Sequence, residues 1–152
     1  QSGPSVQNSY SNGMRETPDV SLNADPATGY PVYCTVGSNC TTTPGWITVG
    51  GTSAAAPMWA ATVALTNQEA AQHGKGNVGF LNPALYKIAS GSRYHSDFHD
   101  ITPPNNSSTP SNNDEIGING GAYPVTNNYD MATGWGSFNA TNLATDLVAL
   151  AK

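Results

Sequence analysis

The sequence predicts an α/β chain, and three observations carry that reading. A β-rich apolar run, Trp46-Ile47-Thr48-Val49, stops at the pair Gly50-Gly51. An alanine-rich apolar run, Met58 to Leu65, leads away from it. Beyond that, Leu143, Leu147, Val148 and Leu150 recur at helical spacing near the C-terminus. A strand, a glycine turn and a helix therefore form the centre of the chain, with Ser53 at the junction. A serine at a helix N-terminus lies beside free backbone N–H groups, where the helix dipole favours negative charge. Attack on a carbonyl creates an oxyanion next to the nucleophile, so such a serine suits acyl transfer. Taken alone, a Gly-Thr-Ser run reads first as an ordinary helix cap.

The elements follow in order. Residues 1–14 have no periodicity and read as an irregular surface segment. A short strand is predicted over 18–22, and Asn23 to Gly29 reads as a turn, since Asn and Asp bond their own backbone while Pro and Gly fix the bend. Strands at 30–33 and 46–49 are expected to pair as a hairpin, with Pro31 confining the first to an edge. A helix is predicted over 53–72, apolar all round in its first half and therefore buried. Pro57 is tolerated there near the first turn, and Gly74 ends the helix. Asn82-Pro83 should cap and start a helix over 84–89. Residues 102–128, rich in Asn, Ser, Pro and Gly, read as a long loop that needs a ligand to stay ordered. An amphipathic helix over 139–151 closes the chain.

Composition narrows the function. The chain has 152 residues, consistent with one domain or a large part of one, and only 10% of them are charged. Five Lys and Arg against ten Asp and Glu give a net charge of −5, which argues against nucleic acid or an anionic membrane as partner. A surface built from Asn, Ser, Thr and Gly changes little with pH and suits an acidic extracellular setting. No apolar run approaches the ~18 residues of a membrane span. The chain opens at Gln1 without a leader, which suggests that something upstream is removed. Cys34 and Cys40 are close in sequence and read either as free thiols or as a local disulfide at the hairpin tip, the latter preferred. Asn39, Asn105, Asn106 and Asn139 each begin an Asn-x-Ser/Thr pattern, of consequence only in a glycosylating host.

Longer matches say more. The run from Arg15 to Pro26 with Gly29-Tyr30, then Gly51-Thr52-Ser53-Ala54-Ala55-Ala56-Pro57, Gly79 to Tyr86, Phe98-His99-Asp100-Ile101-Thr102 and Tyr129 to Ser137 occur in the order found in the sedolisin (serine-carboxyl peptidase) family, which the chain resembles. The resemblance implies a subtilisin-like α/β fold with a mostly parallel sheet flanked by helices, of which residues 1–152 form the C-terminal part of a single catalytic domain. It implies a secreted endopeptidase acting on peptides or proteins at acidic pH, with Ser53 as nucleophile and the Ser53 N–H in the oxyanion hole. In the family a Glu–Asp pair activates the serine, and a further Asp helps bind the oxyanion. A carboxylate titrates below the ~6.5 of histidine and so remains a base in acid. Those acids lie well upstream in the family. Glu16, Asp19 and Asp25 match a different segment, so the acids are expected on an N-terminal companion, and this chain alone is expected to be inactive.

The resemblance also implies a calcium ion held by Asp100, Ile101, Thr126, Asn128 and Asp130. Thr126 and Asn128 stand where the family has glycines, and contribute through backbone carbonyls. Oxygen-only ligation suits calcium. The alternative is two aspartates capping turns. His73, His95 and His99 show no zinc pattern. Two rival functions remain: a subtilisin-type serine peptidase with a histidine base, and a non-catalytic, calcium-stabilised secreted module.

Overall fold

The computed structural model describes residues 5–11, 13–35, 45–102, 123 and 125–152. The chain divides into two compact units, Leu22–Thr62 and Gln1–Ser21 with Val63–Lys152.

In the first unit, β1 (Tyr30–Cys34) and β2 (Gly45–Val49) pair antiparallel, with Tyr30 opposite Val49 and Cys34 opposite Gly45, as the sequence predicts. Tyr33 and Trp46 face each other near the tip, with ring centroids 5.4 Å apart. Cys34 is disulfide-bonded; Cys40 lies outside the described residues. Asn23 to Gly29 is a turn, as expected. The Asn23 side chain accepts from the Asp25 N–H at 3.0 Å, and the Asp25 side chain accepts from the Ala27 N–H at 2.8 Å.

Helix α1 (Thr52–Gln72) begins in this unit and ends in the other. Pro57 is its sixth residue, inside the helix rather than in its first turn, and leaves the Ser53 carbonyl without the usual i+4 donor. The expected burial of its first half is not what the structure shows. Met58 is 41% and Leu65 66% exposed, and only Thr66 and Ala70 are buried.

That core lies between α2 (Asn82–Ala89), α3 (Tyr94–Asp97) and α4 (Ala140–Leu150). Leu85, Leu143 and Leu147 are fully buried, each stabilising by about 1.5–3 kcal/mol. Leu150 belongs to the predicted stripe but is 36% exposed at the helix end. Asn139 caps α4 by accepting from the Asn142 N–H. Asn82, predicted to cap α2, instead donates its amide to Asp19 at 2.9 Å, and Leu81 occupies the cap without a side-chain bond. The 102–128 loop lies mostly outside the described residues, as do Asn39, Asn105 and Asn106.

Two strands, β3 (Phe98–His99) and β4 (Ser137–Phe138), form a second antiparallel pair. The mostly parallel sheet is therefore not present among the described residues, whose four strands form two separate antiparallel pairs. The predicted strand at 18–22 is an extended segment tied instead to the 134–136 turn: Trp135 N–H donates to Asp19 and Ser21 N–H to Gly136. Ser5–Ser9, predicted irregular, is a 3₁₀ turn because Gln7 is wholly buried and bonded to Glu16, Tyr86 and Tyr129.

Gly134 makes the 134–136 junction possible. Its φ is +63°, and a Cβ there would come within 2.3 Å of the Asp19 carbonyl. Gly134→Ala is expected to destabilise by roughly 2–4 kcal/mol. Gly74→Ala, at a similar φ of +68° with open space around it, carries the backbone strain alone and should cost less. Denaturant midpoints of the two variants check this, and equal shifts would remove the steric explanation.

Candidate functional site

Ser53 is exposed at the second position of α1. Gly51, with φ +104°, turns the chain from β2 into the helix, and its N–H donates to the Ala24 carbonyl at 2.5 Å. Gly50 lies against the same turn, where a Cβ would come within 2.4 Å of Pro26 N. The Ala54 and Ala55 amides both return to the Gly51 carbonyl, at 2.9 and 3.3 Å. The N–H groups of Thr52 and Ser53 thus have no acceptor inside the helix, which leaves them available to an anion beside the Ser53 hydroxyl.

No base accompanies Ser53 within its own unit. Over 22–62 the sequence contains no histidine and one acid, Asp25. Its carboxylate is engaged in the turn, by the Ala27 N–H and by the Thr28 hydroxyl at 3.4 Å. In the second unit Asp19 is a structural hub. It pairs with Arg15 at 2.5 Å and accepts from Asn82 and from the Tyr86 hydroxyl at 2.8 Å. Burial, and then the bond to Asp19, push the Tyr86 phenol far above its ordinary value. Glu16 contributes backbone atoms to the Gln7 network. The extent of Asp19's bonding was not legible beforehand, because its partners are distant in sequence.

The candidate calcium residues are brought together. Asp130 is 1% exposed; one oxygen accepts from the Ala132 and Thr133 N–H groups, the other from the Thr126 N–H at 3.1 Å. Asp100 accepts from the Asn128 N–H at 2.8 Å, and Ile101 follows it in the chain. Asn128 has φ 66°, a conformation Asn tolerates, and Thr126 has no positive φ. Asp100 Oδ1 is buried with no hydrogen-bond donor, and among the described residues neither carboxylate has an ion-pair partner. Burial, and then the nearby Asp100 and Asp130, push the Tyr94 phenol upward. Among the described residues no cluster of three His, Cys, Asp or Glu forms, so a metal here would need backbone oxygens.

Tyr94 and Trp135 lie at the centre of an aromatic cluster that no single sequence signal marks. Their rings meet at 5.2 Å, and Tyr86 and Tyr129 approach Trp135 at 6.0 and 5.4 Å. His99 is exposed on β3, and the His95 ring lies 4.8 Å from Tyr94.

The chain is similar to known proteins. Kumamolisin from Bacillus sp. (strain MN-32) is 39% identical over 134 residues, covering 88% of this chain and 20% of kumamolisin. Tripeptidyl-peptidase sed1 of Aspergillus fumigatus is 36% identical over 91 residues, 60% of this chain and 12% of that protein. The solved structure of Pseudomonas sedolisin, a serine-carboxyl proteinase complexed with two molecules of pseudo-iodotyrostatin, matches with a TM-score of 0.64 and 26% identity, over 95% of this chain and 33% of that one. No family model matches the chain. The class thus defined is that of the serine-carboxyl peptidases, with the subtilisin-like fold of sedolisin. The chain belongs to the sedolisin family and corresponds to a C-terminal region of its members, spanning a fifth of kumamolisin's length.

Proposed function

We propose that the full-length protein is an acid-acting endopeptidase that cleaves peptide bonds through an acyl-enzyme on Ser53. The observation that carries this reading is an exposed serine behind a positive-φ glycine, with free first-turn amides beside it, in a chain 39% identical to kumamolisin. The Ser53 hydroxyl attacks the scissile carbonyl and gives its proton to a carboxylate base. The Ser53 N–H donates to the oxyanion, the leaving amine takes the proton, and water then releases the acyl group. The base, its partner acid and the oxyanion acid are supplied by an N-terminal part of the same catalytic domain. That part also completes the parallel sheet and covers Met58 and Leu65 on α1. The substrate is a peptide or protein, and the protein acts outside the cell. Among the described residues no helix is long and apolar enough to cross a membrane.

The residues at the second site fit a calcium ion. Asp100 and Asp130, with backbone oxygens of Ile101, Thr126 and Asn128, would hold it, and the buried Asp100 Oδ1 without a donor is where a cation is needed. Bound calcium would neutralise the two carboxylates and cross-link the loop, a structural role with no part in bond cleavage.

The test compares residues 1–152 alone with the full-length protein on a peptide library from about pH 3 to about pH 7. Cleavage by the full-length protein persisting near pH 4, with none by the shorter chain, is expected. Loss of activity below about pH 6.5 would indicate a histidine base instead. Ser53-dependent cleavage by residues 1–152 would return the acid roles to Glu16, Asp19 or Asp25.

A further inference from the structure

Asp97 ends α3 with its side chain 0% exposed. One oxygen accepts from the Ser96 hydroxyl at 2.8 Å and lies 3.4 Å from Arg93 Nη2. The other, Oδ2, is buried and receives no donor. Asp146, on the facing helix α4, takes Nε of the same Arg93 guanidinium at 2.8 Å. Two carboxylates thus share one guanidinium, itself 52% exposed. Two carboxyl groups held on one guanidinium can bond to each other only with a hydrogen between them.

We propose that Asp97 and Asp146 share a single proton, and that this proton clasps α3 to the C-terminal helix in acid and releases it as the pH rises. With the proton present, Asp97 donates from Oδ2 to the Asp146 carboxylate. When it leaves to solvent, two anions face one cation, and a buried oxygen is left without a donor. An open groove of about 260 Å³, lined by Arg93 and Asp146 together with Lys87 of α2, exposes the Asp146 side of the cluster to water. The charged groups acting on Asp97 are Asp146 and Arg93. His95 lies against Tyr94, and His99 of β3 is exposed. Two uncharged bonds join the same elements at every pH: Asn139 N–H to the Asp97 carbonyl at 2.7 Å, and the Asn142 amide to the Ser96 carbonyl at 2.8 Å. The clasp therefore tunes this junction and does not create it.

The directions of titration agree. Burial, and then Asp146, raise Asp97 above its ordinary value. For Asp146 burial acts upward, but the bonds from Arg93 and Asp97 outweigh it and lower the group. The Asp97 contribution is fully present below the unfolded value of about 3.9 and is lost as pH rises through its folded value. The Asp146 contribution is present above that unfolded value and is lost as pH falls through its lowered one. The clasp is strongest between the two folded values, a window that brackets the ordinary carboxylate range.

The test uses the full-length protein. Thermal melts at about pH 4 and about pH 7 are compared for wild type, Asp97→Asn and Asp146→Asn. An asparagine at 97 supplies the missing N–H at both pH values, so its loss of Tm between them should be smaller than wild type's by about 3 °C. Asp146→Asn should shrink the loss in the same direction. Carbon-13 titration of the wild-type aspartate carboxyls should show Asp97 protonated through pH values at which Asp146 is ionised, and this result stands even if a variant fails to fold. Unchanged pH dependence in both variants, or an Asp97 that ionises before or together with Asp146, would overturn the proposal.

Discussion

Ser53→Ala in the full-length protein is expected to lower kcat by roughly 10⁴–10⁶-fold, the scale on which loss of a covalent nucleophile is felt. Folding should be untouched. Ser53 is exposed, and the turn that presents it is held by the Gly51 N–H to Ala24 and by the Ala54 and Ala55 amides to Gly51, none of which uses the serine side chain. The measurement is single-turnover cleavage of a peptide at saturation, with thermal melting alongside. Thr52→Ala is the informative companion. Thr52 shares the exposure and the first helical turn but lies one position from the nucleophile, so its replacement should cost far less. A Ser53→Ala enzyme with near-normal turnover, or one in which kcat and Tm fall together, would show that Ser53 is a structural residue of the first helical turn and not the nucleophile.

What was legible in the sequence was local. Gly50-Gly51 before an alanine run predicts a strand, a turn and a helix, and the hairpin pairing and the span of α1 follow from neighbours along the chain. What escaped depends on contacts between distant segments. Gln7 looked like surface because its partners, Tyr86 and Tyr129, are far away in sequence. Asn82 had the composition of a cap, yet Asp19 competes for its amide. The apolar first half of α1 predicted burial, but an apolar pattern states only that a partner is needed and not that the same stretch of chain provides it. Asp100 and Asp130 could be matched to a family motif. That Asn128 takes a left-handed backbone is a fact of three-dimensional structure.

The calcium proposal makes the second large prediction, and its sign separates it from the alternative of two turn-capping aspartates. A ligand that binds only the folded state at about a hundred times its Kd stabilises by about 2.7 kcal/mol, so prolonged incubation with chelator should lower Tm by roughly 5–10 °C. Asp130→Ala should abolish most of that response, but it also removes the acceptor of the Ala132 and Thr133 amides, so its own Tm falls for two reasons. Asp100→Asn is cleaner. The asparagine oxygen can still accept from the Asn128 N–H, while the charge and the donorless Oδ1 are lost. If calcium is bound, this variant melts below wild type in calcium buffer and no longer responds to chelator. If no metal binds, Asp100 is a half-buried carboxylate with one buried oxygen lacking a donor and no cation beside it among the described residues, and neutralising it should leave Tm unchanged or raise it. A rise in Tm for Asp100→Asn, together with a wild-type Tm indifferent to chelator, would assign both aspartates to the turns alone.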